Sequence, residues 1–396
     1  FQNIFSDLTL FEDIHLLPPG HYLIIDSSTV HPEIQEYYDF DFSKQGSPDK
    51  VSEEDCTIKL RYLFENAVRR QLISDVPVGS YLSGGMDSGS IVAVASRFIP
   101  RLMTFTGGFD MSSVIGIEAA FDERRQAEDM ASRYKTEHYE MVMHAGDMAS
   151  ALPKVVWHLE DLRVGMSWQN YYISRLASRF VKVVLAGTGG DELFAGYPWR
   201  YARILSCRSD EEFQRIYYDY WQRLMRSEDK QWFLSDDVLS ETSTNVCNEA
   251  FNAVLEGYDH RSSGEGIPYF INKALYFELK TFLPGLFIVE DKLSMSHSLE
   301  TRVPFLDNDL VDYALTIPVS YKVKFSAVPD AIDENVNGKK DVYFRHSNEG
   351  KYILKKAMHG LLPESILNGN KQGFSPPEGC WYRGPTMDYI KEILLD

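Results

Sequence analysis

Three things are scarce in this chain. No apolar run approaches the ~20 residues that a bilayer-spanning helix needs, and no charged-then-apolar leader opens it. Neither a membrane helix nor a signal peptide is expected. The four cysteines (Cys56, Cys207, Cys247, Cys380) are far apart and lack metal-ligand spacing, so reduced thiols in a cytosolic protein are the simplest reading. Basic residues are outnumbered, 40 against 58 acidic, for a formal net charge of −18. That balance argues against a nucleic-acid surface, whose affinity comes largely from Lys and Arg neutralising phosphates, while leaving room for a local basic pocket. Repeats and low-complexity tracts are also missing.

What the chain does have is the balance of a globular protein, 44% apolar and 25% charged, in 396 residues. That length is enough for two or more domains and a sizeable core. Residues 1–41 read as short strands and turns, with Leu17-Pro18-Pro19-Gly20 as a turn signal before a compact β-rich run. Residues 42–56 are polar and rich in turn formers, as in a linker. From residue 57 a helical period gives way to alternating units. Strands are expected at Val76–Leu82, Leu102–Phe105 and Val181–Leu185, and helices at Ile91–Phe98 and Glu123–Tyr134. This alternation predicts an α/β fold with a doubly wound, mostly parallel sheet, whose ligands bind beyond the carboxyl ends of the strands. Beyond about residue 200 the chain reads as helical and aromatic-rich, with surface excursions at 259–268 and 327–350.

The strongest local signal is Ser83-Gly84-Gly85-Met86-Asp87-Ser88, between a strand and a helix. Glycines let backbone approach a ligand, and the helix N-terminus offers N–H donors and a positive dipole end. Ser83 and Ser88 add hydroxyls, which suits a pyrophosphate, although the loop lacks the Walker lysine. Asp87 then suits Mg²⁺ held against phosphates. The plainer alternative is a Gly-Ser turn with Asp87 as a capping carboxylate. A second loop, Gly187-Thr188-Gly189-Gly190-Asp191-Glu192, also follows an apolar strand, and two converging carboxylates are a common way to hold Mg²⁺ on a triphosphate.

Together these segments carry a specific resemblance. Ser83–Ser88 is similar to the pyrophosphate-binding loop of the PP-loop ATP pyrophosphatases. Gly189-Gly190-Asp191-Glu192-Leu193-Phe194-Ala195-Gly196-Tyr197 resembles the second signature of their asparagine synthetase branch. Asp291–Ser296, Ser298–Asp307 and Lys371-Gln372-Gly373-Phe374 follow in the same order. The resemblance implies adenylation of a carboxylate, with aspartate as the expected acid, followed by attack of ammonia to give an amide, AMP and pyrophosphate. It assigns Ser83, Gly84, Gly85, Asp87 and Ser88 to the pyrophosphate end of ATP, and Asp87 and Asp191 to Mg²⁺. Leu82, Gly107, Ala186 and Gly187 are assigned to adenosine. Lys371, Asp191 and Glu192 are the catalytic candidates. Lys371 would offset charge at the α-phosphate, the alternative being a surface lysine in a polar loop. Glu300 and Arg302 are expected to pair within the core. Asp291 either faces the acyl site or is a buried structural acid.

Residues 1–41 resemble the last strands of a class II glutaminase domain, which works through an N-terminal cysteine. The chain opens at Phe1, so the resemblance predicts an upstream part or a processed start, and use of free ammonia rather than glutamine. A homodimer is allowed, and no nucleic-acid or membrane partner is expected. Two departures bear on the acid: Thr188 stands where many relatives carry an acidic residue, and Gly285 and Leu286 follow the later Leu-Pro. Glu290 or Glu192 is the expected compensation.

Overall fold

The computed structural model describes residues 4, 6–26, 32–112, 114, 122–161, 163, 167–241, 245–262, 264–325, 349–369, 377, 381 and 385–395. Strands β1 (His21–Ile25) and β2 (Pro32–Glu36) form a small antiparallel sheet, with His21 opposite Glu36 and Ile25 opposite Pro32. The expected linker is tied to the body. Phe42 is buried, Gly46 N–H donates to Thr316 O at 2.9 Å, and Gln45 Nε2 donates to Ile317 O at 2.8 Å. Helix α1 (Glu53–Gln71) then begins on Ser52, whose hydroxyl accepts from Asp55 N–H, with three acids in its first turn. Such a cap is worth about 1 kcal/mol. The face carrying Leu60, Phe64, Ala67 and Val68 is buried.

The centre is a five-stranded sheet in the order β5-β4-β3-β6-β7. Its strands are β3 (Val78–Tyr81), β4 (Met103–Phe109), β5 (Glu137–Met143), β6 (Val183–Leu185) and β7 (Glu300–Arg302), all paired in parallel. Between them run α2 (Met86–Ala95), α3 (Arg124–Tyr134), α4 (Asp147–Leu159) and α5 (Ser167–Ala177). The expected parallel α/β sheet is therefore present, with β3 and β6 shorter than expected, β4 running on to Phe109 and two edge strands added. From β3 the chain builds outward through β4 and β5, then returns to add β6 and β7 on the other side. The switch point falls between β3 and β6, where loops leave in opposite directions and open a crevice.

The helical remainder packs aromatic rings around Tyr217, Trp221, Phe251 and Phe277. Helix Ile267–Phe277 runs through a π-helical turn, Glu278–Phe282, into helix Leu283–Met295, which lies against α5. No helix among the described residues is long and apolar enough to cross a membrane.

Candidate active site

Two loops leave the carboxyl ends of the adjacent strands β3 and β6. The first is drawn into shape by its own hydroxyls: Ser83 N–H donates to Ser88 Oγ at 3.1 Å, and the two Oγ atoms are 3.1 Å apart. Gly84 sits at φ +73°, and a Cβ there would lie 2.6 Å from Gln126 Cβ on α3. Gly85 caps α2 without a side-chain hydrogen bond, so the first amides of this ten-residue helix point into the loop uncapped. Leu82 extends the ladder by donating its N–H to Phe105 O at 3.0 Å, and Thr106 Oγ1 donates to its carbonyl. Gly107 lies two residues further along β4, where a Cβ would be 2.6 Å from Ile173 Cδ1.

In the second loop Ala186 N–H donates to Arg302 O at 2.8 Å, and Gly189 turns at φ +98° to start the short helix Gly190–Leu193. Glycine is required wherever this loop meets the first. A Cβ on Gly187 would lie 3.0 Å from Asp87 Cβ, and one on Gly190 would lie 2.7 Å from Asp87 Oδ1. On Gly196 it would collide with Asp191 Oδ1. The small residues thus bring Asp87 and Asp191 onto one point, and that point holds an ammonium. Lys351 Nζ ion-pairs with Asp87 Oδ2 and lies 2.6 Å from Asp191 Oδ1. Burial alone would push the Lys351 pKa down, but Asp191 and Asp87 outweigh it and hold the ammonium above the usual lysine range. The neighbouring Lys355 is pushed down to about 8, by burial first and then by the Lys351 charge.

The motifs did not announce Lys351. Its contact with Asp87 spans 264 positions, and the Gly350-Lys351 pair beside an apolar helix is its only local signal. Lys371, with the motif around it, lies outside the described residues.

Two further carboxylates flank the second loop. Glu192 is buried and accepts from Tyr197 Oη at 2.8 Å, while Thr188 Oγ1 donates to Glu290 Oε2 at 2.6 Å. Glu290 is pushed up to about 7. Burial is the main cause, opposed by the Thr188 bond and reinforced by the charges of Glu192 and Asp291. Asp291 itself is exposed and is not a buried structural acid. Glu300 and Arg302 do pair, at 2.6 Å, but the Glu300 side chain is 55% exposed, so the pair sits at the surface edge of the sheet. The reason is that β7 is the edge strand; Arg302 also donates to Gln71 O and Ile73 O.

Asp87 and Asp191 suit a hard, oxygen-seeking cation such as Mg²⁺, since both are carboxylates that converge on one cationic group. Among the described residues no cluster of three or more His, Cys, Asp or Glu side chains exists, so phosphate or water oxygens would have to complete the coordination.

The site thus lies at the switch point of a parallel α/β sheet, where two glycine-rich loops, each carrying an acid, meet. The chain belongs to the asparagine synthase family, whose model matches residues 59–396. It is 29% identical to asparagine synthetase [glutamine-hydrolyzing] 1 of Bacillus subtilis (strain 168), over 100% of this chain and 61% of that protein. It is 27% identical to amidase chry2 of Gibberella zeae, over 98% of this chain and 62% of that protein. The chain thus spans about three fifths of the length of these curated relatives. Among solved structures, the NMN synthetase of Francisella tularensis covers 59% of this chain and 95% of its own at 11% identity and a TM-score of 0.27, too slight a likeness to bear on the site.

Proposed function

We propose that this chain is the ATP-using part of an amide-forming synthetase. It activates a carboxylate by transfer of AMP, with release of pyrophosphate, and passes the acyl group to ammonia. Aspartate is the expected acid and asparagine the expected product. The observation that carries this reading is the convergence of Asp87 and Asp191 from loops on two adjacent parallel strands, beside the uncapped start of α2.

In this reading Ser83, Gly84, Gly85 and Ser88 cradle the β- and γ-phosphates through backbone amides and hydroxyls, and Leu82, Gly107, Ala186 and Gly187 border the adenosine. Asp87 and Asp191 would hold Mg²⁺, which when bound neutralises triphosphate charge. Lys371 is assigned to the α-phosphate, where a flexible ammonium offsets charge in the transition state. Glu290 serves as the base for the incoming amine, since its carboxyl is buried beside the second loop and pushed up to about 7. Thr188 fixes that carboxyl by its hydrogen bond. Glu192, buried and bound to Tyr197, is a second carboxylate beside the second loop.

Residues 1–41 are proposed to be the tail of a glutaminase-type domain, with 42–56 joining it to the synthetase body of 57–396. Support comes from the match to a relative named glutamine-hydrolyzing over the whole chain, and from the exposed apolar side chains of β1 and β2. A second reading, activation of a different acid by the same chemistry, is favoured by the likeness to a relative named an amidase and by Thr188 in place of an acid.

The test is pyrophosphate release from MgATP with aspartate and ammonium present, or each omitted, followed by mass analysis of the product. Aspartate-dependent release with asparagine formed supports the first reading, and release with another acid supports the second. Asp87→Ala should abolish release with any acid. Release that persists in this variant would contradict both.

A further inference from the structure

We infer that Lys351 is a place-holding cation: in the nucleotide-free protein its ammonium occupies the position between Asp87 and Asp191 that a divalent cation takes with the nucleotide, so bare metal is shut out. The inference rests on the reading of Asp87 and Asp191 as metal ligands.

Two carboxylates confined by glycines repel one another strongly unless a positive charge stands between them. Lys351 supplies that charge at a single point, and the fold spends several devices on putting it there. Its backbone adopts φ +55°, a left-handed conformation that costs a non-glycine residue about 1–2 kcal/mol. Its N–H donates to Phe194 O at 3.0 Å, fixing it to the turn just after Asp191. Gly350 lets the chain press against the Ala195 carbonyl, and a Cβ on Gly196 would lie 2.6 Å from Lys351 Cε. The lysine carbonyl then accepts from Lys355 N–H at 2.8 Å as helix Tyr352–Met358 begins.

The backbone of Lys351 is thus fixed while four methylenes leave its head free to pivot, which is the property that separates lysine from arginine. A Mg²⁺ at ~2.1 Å from Asp87 Oδ2 and Asp191 Oδ1, the two oxygens that the ammonium contacts, would take the ammonium's own position. Entry of metal therefore requires the ammonium to leave, and the acceptors that make leaving favourable are the phosphate oxygens of the nucleotide arriving with the metal. Metal and nucleotide bind together, and metal alone binds weakly because it must expel a paired lysine into a site with no new anion.

The test is titration of Mn²⁺ into the full chain, read by the EPR signal of free Mn²⁺, with and without a non-hydrolysable ATP analogue, the Mn²⁺ held by the analogue alone being subtracted from a protein-free titration. Wild type is expected to bind Mn²⁺ at least about tenfold more weakly alone than with the analogue, and Lys351→Met to bind bare Mn²⁺ about tenfold more tightly than wild type. Wild type that takes up bare Mn²⁺ as tightly as Lys351→Met overturns the inference. If Lys351→Met fails to fold, Lys351→Gln keeps a hydrogen-bonding head without the charge. The wild-type arm needs no variant, and equal Mn²⁺ affinity with and without the analogue there overturns the inference by itself. Absence of Mn²⁺ binding even with the analogue overturns the ligand assignment and the inference with it.

Discussion

Thr188 is a hydroxyl where the family resemblance leads one to expect a carboxylate, and the carboxylate arrives instead from helix Leu283–Met295. Thr188 Oγ1 donates to Glu290 Oε2 at 2.6 Å, and the Glu290 pKa is pushed up to about 7. As the proposed base, Glu290 must be ionised to accept a proton, so amide formation compared at equal concentrations of free ammonia should rise as pH passes about 7 and level off above it. Glu290→Gln should remove that limb and slow amide formation by about 10²–10⁴, while ATP–pyrophosphate exchange with the acid alone survives. Equal loss of both activities would show that Glu290 serves the first step or the fold. The same shift has a stability sign. The folded chain holds the Glu290 proton to higher pH than the unfolded chain, so its contribution is full below the ordinary glutamate value and is lost as pH rises towards 7. Asp87 and Asp191 were legible at this scale because each sits in a glycine-rich run after an apolar strand. Lys351 was not, since what makes it special is a partner 264 positions away. The Thr188–Glu290 bond crosses 102 positions, and sequence alone left it open between Glu290 and Glu192.

Elements were legible in proportion to their burial. Strands β3, β4 and β6 are buried because both faces of a central parallel strand are covered, and each lies in or beside a short run rich in apolar residues that was readable from sequence. Strand β5 (Glu137–Met143) is an edge strand of half-buried, mostly polar residues, and β7 is only three residues long, so neither carried such a run. The stretch beyond residue 200 reads as helical, but nothing in it marks the π-helical turn at Glu278–Phe282, which carries Glu278 into the core, where it accepts from Tyr201 and Tyr217. Besides its own hydroxyl bonds, the loop after β3 has a close packing point against α3. Gly84 combines φ +73° with a hypothetical Cβ 2.6 Å from Gln126 Cβ and 3.0 Å from Ala127 N. Gly84→Ala should therefore cost about 1–3 kcal/mol in urea unfolding and weaken nucleotide-analogue binding, because the loop must move off α3. A variant with unchanged stability and affinity would mean that the loop is not held by this contact.

Taken whole, the molecule has one large core around the central sheet and its helices, and a peripheral β1–β2 sheet that shares little of it. Ile25 is 66% exposed and Tyr37 70% exposed, and the attachment is largely ionic and hydrogen-bonded. Arg261 pairs with Glu36 and with Asp39, and Tyr276 Oη and Lys280 Nζ donate to Asp39 at 2.7 and 3.0 Å. Composition alone suggests a division of the chain near residue 41. The same composition gave no hint that residues 42–56 would be pinned to the body, because a buried Phe42 and two backbone contacts leave no pattern in a polar stretch.

The central claim is that the site transfers AMP to a carboxylate, and the most direct measurement follows an oxygen atom. Aspartate labelled with ¹⁸O in its side-chain carboxylate is incubated with the protein, MgATP and ammonium, and AMP and inorganic phosphate are analysed by mass. Attack of the carboxylate on the α-phosphorus followed by amide formation leaves one labelled oxygen on AMP. Label in AMP is the predicted result, and label in inorganic phosphate with ADP as the other product would contradict it.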